Sequence, residues 1–161
     1  MIIIGIDPGV ARVGWGIIEE SKGTQKSLAY SCITTDKSDP LPDRLLQIHA
    51  KLQQLLIRYR PDCVAVEDLF FATNAKTAIA VGQARGVILL ACVQAKVPVV
   101  SYTPLGVKLA ITGSGKAEKQ QMQRMVTRIL HLTKIPTPDD TADALAIALT
   151  HAYSYKMKGK Q

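Results

Sequence analysis

Ile2-Ile3-Ile4-Gly5-Ile6-Asp7-Pro8-Gly9 opens the chain as an apolar run that stops on a carboxylate and a turn. A short apolar run bounded by an Asp-Pro-Gly turn predicts a buried strand with Asp7 as its last residue. The design returns at Cys63-Val64-Ala65-Val66-Glu67, a second buried-strand pattern that ends on an acid. Asp140 and Asp143 then stand three apart at the start of the apolar segment Ala144 to Ala152. That spacing puts both on one face of a helix's first turn. If these termini converge, the product is an oxygen-rich, negative pocket that is unstable unless cations fill it.

Outward from the first strand, Val13 to Glu19 and about Lys26 to Thr34 predict two further strands, and their short connections favour antiparallel neighbours. Pro42 sits where a first-turn proline is tolerated, and Leu45, Ile48, Leu52, Leu55, Leu56 and Tyr59 follow at helical spacing until Pro61. A helix from about Ala75 to Lys96 leads into Pro98-Val99-Val100-Ser101-Tyr102, a fifth strand reached by a crossover that implies a parallel neighbour. Then come a short helix near Pro104 to Ile111, a Gly113-Ser114-Gly115 break, a helix from about Ala117 to Leu132, and a last helix from Pro138 onward. No repeat or linker divides the sequence. Residues 1–155 are expected to form one domain, and the basic segment 156–161 a flexible tail.

A chain of 161 residues can bury a core without disulfides or a structural metal. Cys32, Cys63 and Cys92 are odd in number, far apart and set in apolar surroundings, which fits reduced thiols in a cytosolic protein. No leader pattern opens the chain and the longest apolar runs fall short of a membrane span, so a soluble, cytoplasmic protein is expected. The net charge of +7 is uneven: nine basic residues lie between Leu69 and Pro138 against one acid, Glu118. A negative cluster beside a basic segment suits a metal site that works on a polyanion.

The order β-β-β-α-β-α-β-α is similar to the ribonuclease H-like fold, an α/β architecture in which a five-stranded mixed sheet carries helices on both faces. In that fold the first and fourth strands pair at the sheet centre, so Asp7 and Glu67 would be neighbours. Buried carboxylates raise one another's pKa unless divalent ions favour their ionised forms. Oxygen ligands without clustered His or Cys select Mg²⁺ or Mn²⁺ over zinc. Two such ions about 3.5–4 Å apart would clamp a scissile phosphate for hydrolysis.

Ile4-Gly5-Ile6-Asp7-Pro8-Gly9 with Gly14-Trp15-Gly16 resembles the opening of the RuvC family of Holliday-junction resolvases. Val66-Glu67-Asp68-Leu69-Phe70, Gly82-Gln83-Ala84-Arg85-Gly86 and Asp140-Thr141-Ala142-Asp143-Ala144-Leu145-Ala146 extend the resemblance over nearly the whole chain. It implies that Asp7, Glu67, Asp140 and Asp143 are the catalytic, metal-binding acids, using Mg²⁺. It further implies a homodimer that cuts two opposed strands of a four-way DNA junction, after a branch-migration motor (RuvA and RuvB) has acted. Lys108 and Lys119 match lysines placed near the family's active site. Lys116, Arg85, Arg124 and Arg128 are weaker candidates for DNA-backbone contacts. Phe70 matches a junction-contacting position, and either Phe70 or Phe71 can stack on an unpaired base.

Simpler readings compete at single positions. Asp7 alone fits an ordinary strand exit. Asp139, Asp140 and Asp143 fit a helix N-terminus, and Asp139 competes with Asp140 as the ligand, although the Asp-x-x-Asp-Ala-Leu-Ala spacing favours Asp140. Asp143 can bind metal or position water. Gly113-Ser114-Gly115-Lys116 fails as a phosphate loop because Ala117 and Ala110 replace the required residues, and Gly14-x-Gly16 fails as a dinucleotide motif. His49, His131 and His151 are dispersed, and the exposed face of the helix from about Ala75 to Lys96, with Ile79, Gly82, Gly86, Leu89 and Leu90, is the expected dimer patch. A sugar-kinase or actin-like ATPase shares the Ile-Gly-Ile-Asp-x-Gly opening but needs about twice the length. A non-catalytic junction-binding module would not require all four acids.

Overall fold

The computed structural model describes residues 1–68 and 75–158. Strands β1 (Ile2–Asp7), β2 (Arg12–Ser21) and β3 (Thr24–Thr34) are followed by helix α1 (Leu41–Tyr59) and strand β4 (Cys63–Glu67). Helix α2 (Ala75–Gln94) leads to β5 (Val99–Tyr102), and α3 (Pro104–Thr112), α4 (Lys119–Ile129) and α5 (Asp139–Lys158) follow. The sheet runs β3-β2-β1-β4-β5. β1 lies at its centre, antiparallel to β2 and parallel to β4, which is in turn parallel to β5. This is the expected ribonuclease H-like arrangement.

Strand alternation decides which helices meet which residues. Ile4 and Ile6 of β1 and Val64 and Val66 of β4 bury against α1 and α2, whereas Ile3 and Ala65 bury with α3, α4 and α5. Because successive side chains point to opposite faces, Asp7 continues the Ile3-Gly5 side and Glu67 the Ala65 side. Both acids therefore emerge on the face that α5 covers.

The seat of α5 is a patch of sheet without side chains. Gly5 and Gly16 face each other across β1 and β2, and Gly14 sits opposite Asp7. A Cβ on Gly5 would overlap the Ala144 carbonyl and stand 2.9 Å from Ala148 Cβ. One on Gly14 would strike the Asp140 backbone, and one on Gly16 would come within 2.6 Å of Leu145 Cδ2. Only glycine lets the helix backbone lie this close to the strands. The contact carries Asp140 and Asp143 to the end of β1.

Several boundaries differ from the sequence reading. The β2–β3 hairpin continues to a tight Lys22-Gly23 turn whose φ values of 49° and 97° are left-handed, as a two-residue hairpin turn requires. Gly113, at φ 73°, caps α3 by donating its N–H to the Leu109 carbonyl at 2.9 Å, so the glycine-rich break is a helix stop. α4 begins at Lys119 and is shorter than expected, with His131 left-handed at φ 51° just beyond it. α5 runs through Lys158, into the segment expected to be a flexible tail, since no helix breaker stands between Tyr155 and Lys158.

One expectation about apolar runs needs correcting. Thr77–Gln94 of α2 is long and apolar enough, by length and composition alone, to cross a membrane. Gly82, Gln83, Arg85 and Gly86 interrupt the run without lowering its mean hydropathy enough to exclude it. In the fold, Ala84, Ile88, Ala91 and Cys92 of this helix are buried in the core with α1 and the sheet.

Candidate active site

Asp7 lies beside Glu67 because β1 and β4 pair in parallel with Ile6 next to Val66. Asp140 and Asp143 reach the same end of the sheet from the first turn of α5. The four groups sense one another. Burial pushes the Asp7 carboxyl up to about 8, helped by repulsion from Glu67, Asp143 and Asp140 and opposed by Lys119. Burial, with repulsion from Asp143, lifts Glu67 to about 7, against the pull of Lys108. Asp143 is also raised by burial, with Lys119 drawing it back down.

Basic side chains lie among the acids. Lys119 bridges Asp139, in a short contact, and Asp143, at 3.5 Å. Arg12 Nε stands 3.3 Å from Asp140 Oδ2. That oxygen is buried and accepts no hydrogen bond, so the Arg12 contact is an ion pair without hydrogen-bond geometry. Among the described residues, no three His, Cys, Asp or Glu side chains stand close enough to hold a metal together. Asp143 is turned to Lys119 and Asp140 to Arg12. The donor set nevertheless fits a hard divalent cation, because its carboxylates are desolvated and mutually repelled, and one buried oxygen is orphaned.

Asp139 separates from its neighbours. Its pKa is lowered by its hydrogen bond to Lys119, whereas Asp140 is among the charges that raise Asp7.

A cavity of about 240 Å³ opens beside the acids, lined by Glu67, Lys108, Val107, Lys119, Met122 and Asp143. Lys108 and Lys119 stand at the pocket wall. Lys116 lies exposed in the α3–α4 connection, outside that lining. Arg85 is arranged differently. Its Nη2 donates to Asp68 Oδ1 and Ser101 Oγ, each at 2.7 Å, and its Nε donates to the Glu67 carbonyl at 3.3 Å. With its side chain 19% exposed, Arg85 braces the ends of β4 and β5 rather than offering a free fork to DNA. Phe70 and Phe71 lie outside the described residues.

The histidines do not join the site. His49 bonds Gln94 at 2.7 Å between α1 and α2, and buried His151 bonds the Tyr102 hydroxyl through Nδ1 at 2.8 Å. Two basic residues near the acids escaped the sequence reading, Arg12 and Arg44. Neither sits in the basic segment, and a lone arginine in an acid-rich first third carries no periodic signal.

A family model described as Crossover junction endodeoxyribonuclease RuvC matches residues 3–151. A protein of that name from Desulforamulus reducens is 55% identical over 152 residues, covering 94% of this chain and 93% of its own. Among solved structures, Thermus thermophilus RuvC superposes with a TM-score of 0.89 at 40% identity, covering 98% of this chain and 97% of that one. The same protein in complex with Holliday junction substrate superposes equally well, with a TM-score of 0.89 at 39% identity over 98% of this chain and 96% of that one.

Proposed function

The chain belongs to the RuvC family of crossover junction endodeoxyribonucleases, and from that premise we propose that it resolves four-way (Holliday) DNA junctions by paired, symmetric phosphodiester hydrolysis in recombination and repair. One observation carries the reading: desolvated acids from β1, β4 and α5 gather at one sheet end, beside a cavity walled by Lys108 and Lys119. Asp7, Glu67, Asp140 and Asp143 are the proposed ligands, with Mg²⁺, two ions per site, as the proposed metal and Mn²⁺ as a substitute. When bound, the metal supplies Lewis-acid activation of water and of the phosphoryl group.

The chain's own residues do the rest. Asp7 and Glu67 stay protonated to unusually high pH while no cation balances them, and ionise to bind one. Lys108 and Lys119 neutralise the phosphodiester, and Asp139 keeps the Lys119 ammonium at the pocket wall. Arg85 positions Glu67 by holding its carbonyl. Lys116 and Phe70 are proposed DNA contacts on the strength of the family resemblance.

We take residues 1–155 as one nuclease domain in a soluble, cytoplasmic homodimer that works with RuvA and RuvB. The outward face of α2 supports the dimer: Ile79 is 64% exposed, Leu90 52% and Val93 69%, and nothing lies within 4 Å of a Cβ built on Gly86.

The test is cleavage of a synthetic mobile junction with Mg²⁺ by wild type, Asp7→Asn and Asp143→Asn. Removing a ligand forfeits several kcal/mol of transition-state stabilisation, hence cutting falls by about 10²–10³-fold while junction binding persists. Undiminished cutting by either variant rejects the catalytic assignment.

A further inference from the structure

A second basic groove lies on the other side of the carboxylates from the lysine-walled cavity. It encloses about 500 Å³ between the β1–β2 connection, the start of α1 and the start of α2, and its lining includes Gly9, Arg12, Arg44, Thr77, Val81 and Asp140. Among the described residues Asp140 is the one acid in that lining, and Arg12 covers it with an ion pair at 3.3 Å. Arg44 is held rather than loose. Its Nε donates to Thr35 Oγ1 at 2.9 Å, and Thr35 in turn donates to the Val10 carbonyl at 2.6 Å. Among the described residues, no carboxylate lies within ion-pair distance of Arg44, although Asp36 feels its charge weakly.

We propose that Arg12 and Arg44 form a phosphate subsite for the cleaved DNA strand, gripping its backbone on the Asp140 side of the scissile linkage. The proposal rests on the nuclease reading above. A guanidinium anchored through one nitrogen keeps its terminal nitrogens as a planar fork, the shape that takes a phosphate through two bonds. The acids and the two basic walls form a sequence in space: Arg12 and Arg44, then Asp140 and Asp143, then Lys119 and Lys108. A strand laid across all three places one phosphate over the carboxylates, with basic contacts before and after it. Backbone contacts of this kind fix register without reading sequence.

The test uses full-length protein and four-way junctions that carry one neutral methylphosphonate linkage at successive positions on both sides of the cut. Affinity is measured without divalent ions for wild type, Arg44→Gln and Arg44→Lys. Wild type is expected to lose about tenfold in affinity at one linkage on one side of the cut. Arg44→Gln loses a similar factor on the unmodified junction, is indifferent to that linkage, and has a log-log salt slope lower by about one. Arg44→Lys keeps the salt slope. Linkages on the lysine side still weaken all three proteins.

If Arg44→Gln keeps the wild-type salt slope and the wild-type response to every linkage, the subsite is overturned and the nuclease reading stands. If wild type prefers unbranched DNA to junctions, the junction reading falls, and the same linkage scan on that DNA decides the subsite. Wild type that binds no DNA overturns both.

Discussion

At Asp7 a buried carboxyl keeps its proton until about pH 8, against an ordinary value of 3.8, and Glu67 behaves alike up to about 7 from 4.5. In the unfolded chain both ionise near their ordinary values, so between those limits the folded state holds more protons. The contribution of these groups to stability is therefore greatest below about pH 4 and declines as pH rises through 7 and 8. Asp7→Asn removes the largest part of this decline. In metal-free protein at pH 8 the variant should melt higher by about 2–4 °C, equivalent to about 1 kcal/mol for a chain of this size, with the difference fading towards pH 4. A melting difference that does not change between those pH values would refute it. At Lys119, substitution by alanine should weaken junction binding and lower the salt slope by about one counterion, measured by titration at several salt concentrations. An unchanged slope would return Lys119 to a solvated role. Asp7 and Glu67 were legible because a carboxylate ending an apolar run is conspicuous. Arg85 was legible as a basic candidate for DNA-backbone contact, but not as a brace, since its partners Asp68 and Ser101 come together only when β4 and β5 pair.

Strands and helices were legible where the pattern is strong, as in the apolar runs of β1 and β4 and the helical spacing of α1. Their ends were less so, because they depend on single left-handed residues such as Lys22, Gly113 and His131. The docking of α5 was not legible. Gly5, Gly14 and Gly16 look like ordinary strand glycines until the helix lies on them, and their spacing does not announce a helix backbone from the far end of the chain. This gives a prediction at the scale of the element. In Gly14→Ala the new methyl meets the Asp140 backbone, so the first turn of α5 must shift and its two acids move away from Asp7. Since a misplacement of about 1 Å can cost about 10²-fold in rate, cleavage should fall by roughly that factor while circular dichroism remains that of the folded protein. Full activity in Gly14→Ala would mean that the helix position is not held by this contact.

In the whole molecule, the half of α2 turned away from the core presents Ile79, Leu90 and Val93 to solvent. Paired cutting of opposed strands calls for two sites, and this is the apolar face available on the described residues of α2. Leu90→Glu should convert the proposed dimer to a monomer in sedimentation, and the monomer should nick one strand without the coupled second cut. A dimer that survives the substitution with coupled cutting intact would move the interface elsewhere. The five-stranded order was readable from the chain. The proposed face for a second copy was readable only as an excess of apolar residues on a helix that also needs an inner face.

The placement of the acids also bears on when the protein becomes dangerous. Asp7 is made among the first residues and Glu67 midway, but Asp140 and Asp143 belong to the last helix, and that helix must land on the glycine patch to bring them near. A nascent chain still on the ribosome holds two of the four proposed ligands, with the α5 pair still to come. On the proposed assignment synthesis closes the site last, and a product that lacks α5 should leave junctions uncut in the cleavage assay.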